Sequence, residues 1–132
     1  MEKYTFSDLQ NIVKTLRGEN GCPWDQVQTH ESLERCMIEE AYEAVEGIHL
    51  YAETGDGENL CEELGDVLFS VVNLSRFYKV DSELALLACC KKFRQRFEYV
   101  EGQVNAQGGD WSSFSLEQLD AYWNEAKNTI TD

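Results

Sequence analysis

Met37-Ile-Glu-Glu-Ala-Tyr-Glu-Ala-Val-Glu46 and Leu60-Cys-Glu-Glu-Leu-Gly-Asp-Val-Leu-Phe69 are the two stretches whose reading decides the fold. The first carries Glu39, Glu40 and Glu43 as E-E-x-x-E, and the second carries Glu63 and Asp66 as E-x-x-D. Carboxylates at i, i+1 and i+4 share one side of a helix, as do those at i and i+3. Two such helices facing each other offer several oxygen ligands, the donor set that hard cations such as Mg²⁺ or Mn²⁺ prefer. A Glu-rich helix face alone is usually solvated surface. The second stretch changes that balance, because after Asp66 the chain runs Val-Leu-Phe-Ser-Val-Val-Asn-Leu, apolar nearly all round. That pattern predicts a helix buried on most sides, in this chain or against another subunit. An acid entering such a helix needs a cation or a basic partner, because burying a charge unpaired is costly.

Outward from this pair the chain reads as helices. Thr5, with Asp8 three residues on, predicts a cap for a first helix carrying Phe6, Leu9, Ile12, Val13 and Leu16 and ending at Gly18 and Gly21. Cys22-Pro-Trp-Asp25 is expected to be a loop. A second helix is expected from Thr29 to about Ala52, with Leu33, Met37, Ala41, Ala44, Val45 and Ile48 as its apolar stripe. On its wheel Glu39, Glu43 and Glu46 lie within roughly 60° of one another, with Glu40 beside them. Gly55-Asp-Gly57 breaks it, and a third helix follows from about Glu58 to Tyr78. Asp81 or Ser82 caps a fourth, reaching about Asn105, whose expected core stripe is Leu86, Cys90, Phe93, Phe97 and Val100. Ser115-Leu-Glu-Gln118 is a capping box that opens the last helix, with Phe114 and Leu119 placed as its staple. The expected architecture is all-α: a single domain over residues 1–132, with four main helices plus short ones.

Composition narrows the partners. The net charge is −14, which argues against nucleic acid and anionic membrane surfaces as partners. Four of the eleven basic residues nevertheless fall together, at Lys91, Lys92, Arg94 and Arg96. Lys92 and Arg96, one turn apart, suit phosphate oxygens; pairing with neighbouring Glu residues is the other reading. Asn73, seven residues after Asp66, shares its face and is a candidate substrate contact or a structural hydrogen-bonding residue. Five cysteines without a C-x-x-C, and no apolar run long enough to span a bilayer, lead to the expectation of reduced thiols in a cytoplasmic protein. Cys89 and Cys90 are expected to be packing residues. A di-iron site needs Glu-x-x-His twice, and Glu46-Gly-Ile-His49 supplies it once.

Taken together, the motifs resemble those of the MazG nucleoside triphosphate pyrophosphohydrolases. Leu16-Arg-Gly-Glu-Asn-Gly-Cys-Pro-Trp-Asp25 with Gln28-Thr-His-Glu-Ser-Leu33 is similar to the family's N-terminal signature. Glu39-Glu40-x-x-Glu43 and Glu63-x-x-Asp66 are similar to its metal motif. Lys92-Phe-Arg-Gln-Arg96-Phe, and Trp123 with Lys127, resemble later positions around the nucleotide. The similarity covers about residues 6 to 127. It implies an all-α MazG-like bundle completed by dimerisation, as a homodimer or tetramer. It also implies Mg²⁺-dependent cleavage (Mn²⁺ as a substitute) of nucleoside triphosphates to a monophosphate and pyrophosphate, in nucleotide house-keeping. Glu39, Glu40, Glu43, Glu63 and Asp66 would then be metal ligands or water activators. Lys92, Arg96 and Lys127 would be phosphate contacts, and Trp123 a pocket residue. The alternatives are a narrower dUTP/dCTP pyrophosphatase or phosphoribosyl-ATP pyrophosphohydrolase, and a non-enzymatic metal-binding interaction module.

Overall fold

The computed structural model describes residues 3–18, 21, 23 and 27–130. Cys22, Trp24 and Asp25 of the expected loop lie outside the described residues. All regular structure among the described residues is helical: α1 (Phe6–Arg17), α2 (His30–Thr54), α3 (Glu58–Phe77), α4 (Ser82–Ala106), a 3₁₀ turn at Trp111–Ser113 and α5 (Leu116–Thr129). None of the helices is long and apolar enough to cross a membrane among the described residues.

The helix starts follow local side-chain chemistry. Thr5 Oγ accepts from Asp8 N at 3.1 Å, and Asp8 Oδ2 accepts from Thr5 N at 2.7 Å, a closed capping box. The same exchange joins Thr29 and Ser32 at the start of α2, and Ser115 and Gln118 at the start of α5. Asp81 Oδ1 accepts from Glu83 N at 3.0 Å at the start of α4. The end of α2 is set by Gly55, whose φ of 74° is left-handed and free of steric cost only for glycine. Asp110 accepts from Ser112 N at 3.0 Å and caps the 3₁₀ turn, which the sequence pattern did not announce.

The chain divides into two compact units, residues 1–83 and 84–132. In the first, α2 and α3 form an antiparallel hairpin, and α1 packs on α3. Val13, Leu33 and Val72 are its buried apolar side chains among the described residues. The seam of α2 runs through Leu33, Met37, Glu40, Ala44 and Gly47, and that of α3 through Leu60, Glu63, Val67 and Ser70. These steps of three and four are the spacing of one helix face. Gly47 is buried because the helices approach closely there: a Cβ on it would lie 3.1 Å from Leu60 Cα.

This seam differs from the expected stripe. Ala41, Val45 and Ile48 are exposed, and Glu40, which the wheel placed beside the acidic face, is half-buried on the seam. The expectation that α3 is buried on most sides also fails within this chain. Leu64, Leu68 and Val71, along one face, are 51%, 57% and 38% exposed, and Asp66 is exposed too. The apolar character of α3 exceeds what one neighbouring seam can cover.

In the second unit, from Leu84 onward, α4 and α5 are joined through Gly108 and Gly109, both at positive φ. Phe93 lies 5.3 Å from Trp123 between ring centroids, Phe97 stacks on Trp111 at 5.7 Å, and Phe114 meets Tyr122 edge-on. Val100, Val104 and Ala126 are buried. Of the expected α4 core stripe only Val100 is buried; Leu86, Cys90, Phe93 and Phe97 are exposed. Cys36, Cys61, Cys89 and Cys90 are free thiols and exposed, so Cys89 and Cys90 are not packing residues in this chain.

Candidate metal centre

The hairpin register brings the acids together. From Gly47 opposite Leu60, one turn back along α2 reaches Glu43, and one turn forward along α3 reaches Glu63. Another turn on each helix reaches Glu40 and Asp66. One carboxylate oxygen from each of Glu40, Glu43 and Glu63 lies within 4.8 Å of the other two. That spread is close to the roughly 4.2 Å separating opposite ligands of one octahedral Mg²⁺.

The environment of these acids opposes leaving them charged and unpaired. Glu40 and Glu63 are half-buried on the seam, and each holds its Oε2 buried with no hydrogen-bond partner among the described residues. A buried polar atom without a partner is costly and calls for an explanation. Both carboxyls are pushed above the ordinary glutamate range. For Glu40 burial is the largest cause, followed by the charges of Glu43 and Asp66, hydrogen bonding to Glu43 and the charge of Glu39. For Glu63 burial again leads, followed by hydrogen bonding to Glu43 and the charges of Glu43, Asp66 and Glu62. Burial and mutual repulsion both favour the protonated form of these two groups. A divalent ion would remove both penalties at once, satisfying the orphaned oxygens and offsetting the repulsion. The donor set is all oxygen, which suits Mg²⁺ or Mn²⁺. His49 is not among the residues whose ligand atoms converge, so the Glu46/His49 pair does not extend the cluster.

The other sequence candidates are placed as follows. Glu39 and Asp66 are exposed and act on the cluster through their charge. Asn73 Oδ1 accepts from Arg17 Nε at 2.8 Å, and the Arg17 guanidinium lies 5.8 Å from the Phe77 ring centroid. Asn73 is thus engaged in tying α1 to α3. In the second unit Lys92 and Arg96 are half-buried on α4, and Arg96 Nε is buried with no acceptor among the described residues. Trp123 is half-buried against Phe93, and Lys127 is exposed one turn further along α5.

Gly47 and Arg17 were missed as site-building residues. A lone glycine inside a helical pattern is the signal for close backbone approach that would have singled out Gly47. The partner of Arg17 lies 56 residues away in sequence, and no local pattern announces that contact.

Comparison with known proteins gives the family. The model of the MazG nucleotide pyrophosphohydrolase domain matches residues 28–101, which include all five acids, Asn73, Lys92 and Arg96. The chain is 45% identical to the nucleoside triphosphate pyrophosphohydrolase/pyrophosphatase MazG of Thermotoga maritima, over 57% of the chain and 29% of that protein. It is 33% identical to the nucleoside triphosphate pyrophosphohydrolase of Escherichia coli K12, over 73% of the chain and 37% of that protein. It is 26% identical to the uncharacterized protein YabN of Bacillus subtilis, in an alignment covering 96% of the chain and 52% of the relative. The chain therefore spans about half the length of the relative it matches most fully, and less of the other two.

Proposed function

From the premise that the chain belongs to the MazG nucleotide pyrophosphohydrolase family, we propose that it hydrolyses a nucleoside triphosphate to the monophosphate and pyrophosphate, with Mg²⁺ as cofactor. The observation that carries this reading is the convergence of Glu40, Glu43 and Glu63, two of them with buried, unsatisfied oxygens.

Glu40, Glu43 and Glu63 would hold the ion, with Glu39 and Asp66 as flanking ligands or proton acceptors. Mg²⁺ supplies charge neutralisation for the phosphates and eases deprotonation of water. An acid of the cluster left free of the metal takes the proton of the attacking water. Lys92 and Arg96 bind phosphate oxygens, and the unsatisfied Arg96 Nε is a donor in need of an acceptor. Trp123 and Lys127 serve as further substrate contacts. Asn73, held by Arg17, fixes the end of α3 and presents its remaining amide group as a substrate contact.

The same reading includes a homodimer or a higher assembly. Leu64, Leu68 and Val71 on α3, with Ile38 and Tyr42 on α2, form exposed apolar faces on both helices of the hairpin. Faces of this kind are the usual mark of an interface between copies.

The test is release of pyrophosphate from a panel of standard and modified nucleoside triphosphates, with and without Mg²⁺. Mg²⁺-dependent release that is lost in Glu40→Gln and Glu63→Gln is the expected result. Absence of release from every member of the panel would overturn the enzymatic reading in favour of a metal-binding interaction module.

A further inference from the structure

A second feature of the first unit meets the reading above only at Arg17, which also holds Asn73. A groove of about 740 Å³ runs between the C-terminal half of α1 and the turn that follows α3. Its lining includes Lys14, Arg17, Arg76 and Lys79, four of the eleven basic residues of a chain whose net charge is −14. From Glu63 to Arg76 is thirteen residues, roughly 20 Å along α3, so the groove is not part of the carboxylate cluster. We propose that this groove binds an anion of the phosphate class, independently of metal.

Charge is the first support. Asp81 is the one acid among the described lining residues, and it is already occupied. Its Oδ1 accepts from Glu83 N at 3.0 Å and from Gln10 Nε2 at 3.2 Å, as the cap of α4. Lys14, Arg76 and Lys79 make no ion pair among the described residues. Cations at helix ends often complement the helix dipole, and Lys14, Arg17 and Arg76 do stand in last turns. That habit does not account for the cluster, because α2 and α4, the two longest helices, carry no basic residue in theirs. Lys79 lies outside any helix.

Backbone conformation is the second support. Lys79 has φ 57°, the one left-handed non-glycine residue described. Its turn is closed by Lys79 N donating to Arg76 O at 3.1 Å and Val80 N donating to Ser75 O at 2.8 Å. Glycine would make this turn without strain. A lysine kept in that conformation, lining the groove, has a use for its side chain.

Shape is the third support. The volume falls within the range of small-molecule sites, and Val72, Phe77 and Val80 give the groove an apolar wall beside its cations. It can therefore seat either a free phosphate anion or the phosphate of an organic ester.

The experiment is calorimetric titration of the full chain with pyrophosphate and with adenosine monophosphate, in excess EDTA so that the carboxylate cluster holds no metal. Lys14→Ala and Lys79→Gly should each weaken binding at least about tenfold, the effect of losing one charge-assisted hydrogen bond. Lys3→Ala, outside the groove, should leave it unchanged. Lys79→Gly should also raise the melting temperature, since it relieves the left-handed strain, so its loss of binding cannot be put down to unfolding. Tighter binding of the nucleotide assigns the groove to a phosphate ester, and tighter binding of pyrophosphate to a free anion; both support the proposal. No heat from either ligand at millimolar concentration, or binding unchanged in Lys14→Ala and Lys79→Gly, overturns it. Mg²⁺-dependent hydrolysis, measured separately on the same variants, tests the carboxylate centre alone.

Discussion

Glu40 on α2 and Glu63 on α3 meet across the hairpin with a carboxylate oxygen of each within 4.8 Å of the other, and both keep a second oxygen buried without a partner. Two acids so placed repel each other, and the structure contains the cost of that repulsion within its own packing seam.

Metal should stabilise the fold, because an ion that binds only the native state shifts the equilibrium by mass action. Thermal melts with Mg²⁺ in excess and with EDTA should differ, the Mg²⁺ sample melting higher. Glu63→Gln should abolish that difference while leaving the EDTA sample as stable or more so. A Glu63→Gln chain that unfolds in EDTA would identify a structural contact and not a metal ligand.

Acidity gives an independent check. Glu40 and Glu63 bind protons more tightly in the native state than in the unfolded chain. As pH rises from the ordinary glutamate value of 4.5 through their raised values, the native state loses protons that the unfolded state has already released. The pair's contribution to stability therefore falls with rising pH over that window. Metal-free melting temperatures should show a downward component there that is missing in Glu40→Gln/Glu63→Gln. Mg²⁺ affinity should rise over the same window, since the ion competes with those protons.

The two helix glycines with opposite surroundings should respond in opposite directions. Gly102, exposed on α4 with nothing within 4 Å of an added Cβ, should gain about 0.5–1 kcal/mol of stability as Gly102→Ala. Gly47→Leu forces side-chain atoms against Leu60 Cα and Asn59, and overpacking of that kind costs about 1–3 kcal/mol. It should also weaken Mg²⁺ binding, because the same contact holds the acids level. Denaturant unfolding gives the first quantity and the Mg²⁺-induced melting shift gives the second.

Asn73→Ala should loosen α1 from α3. Arg17 Nε loses its 2.8 Å acceptor, and a hydrogen bond to a charged group contributes about 1.5–3 kcal/mol. A loss of stability in that range by denaturant unfolding is expected. Asn73→Asp, which keeps the acceptor and adds charge beside the guanidinium, should retain most of the stability.

The exposed face of α3 predicts assembly. Leu68→Glu should shift sedimentation from dimer to monomer, because it places a charge in the middle of the Leu64–Leu68–Val71 stripe. An unchanged sedimentation coefficient would remove that face from any interface.

The sequence by itself determined the helices and most of their ends. Thr5 with Asp8, Thr29 with Ser32, Ser115 with Gln118 and the left-handed Gly55 act within three or four residues, so their effect is readable wherever they stand. It also determined that five acids would fall on two neighbouring helices, and the family those acids belong to. Tertiary structure alone decided which face of α2 is packed. Hydropathy chose Ala41, Val45 and Ile48, but the seam runs through Glu40 and Gly47, where the helices approach so closely that an added Cβ would lie 3.1 Å from Leu60 Cα. That one contact sets the hairpin register, and the register selects Glu40, Glu43 and Glu63 from among the acids as the converging three. The basic groove was equally beyond the sequence pattern. Lys14 and Arg76 are sixty-two residues apart, and only the packing of α1 on α3 makes them neighbours. Local hydrogen bonds are encoded at fixed short spacings; the meeting of distant side chains depends on which surfaces fit, and that is settled only when the helices pack.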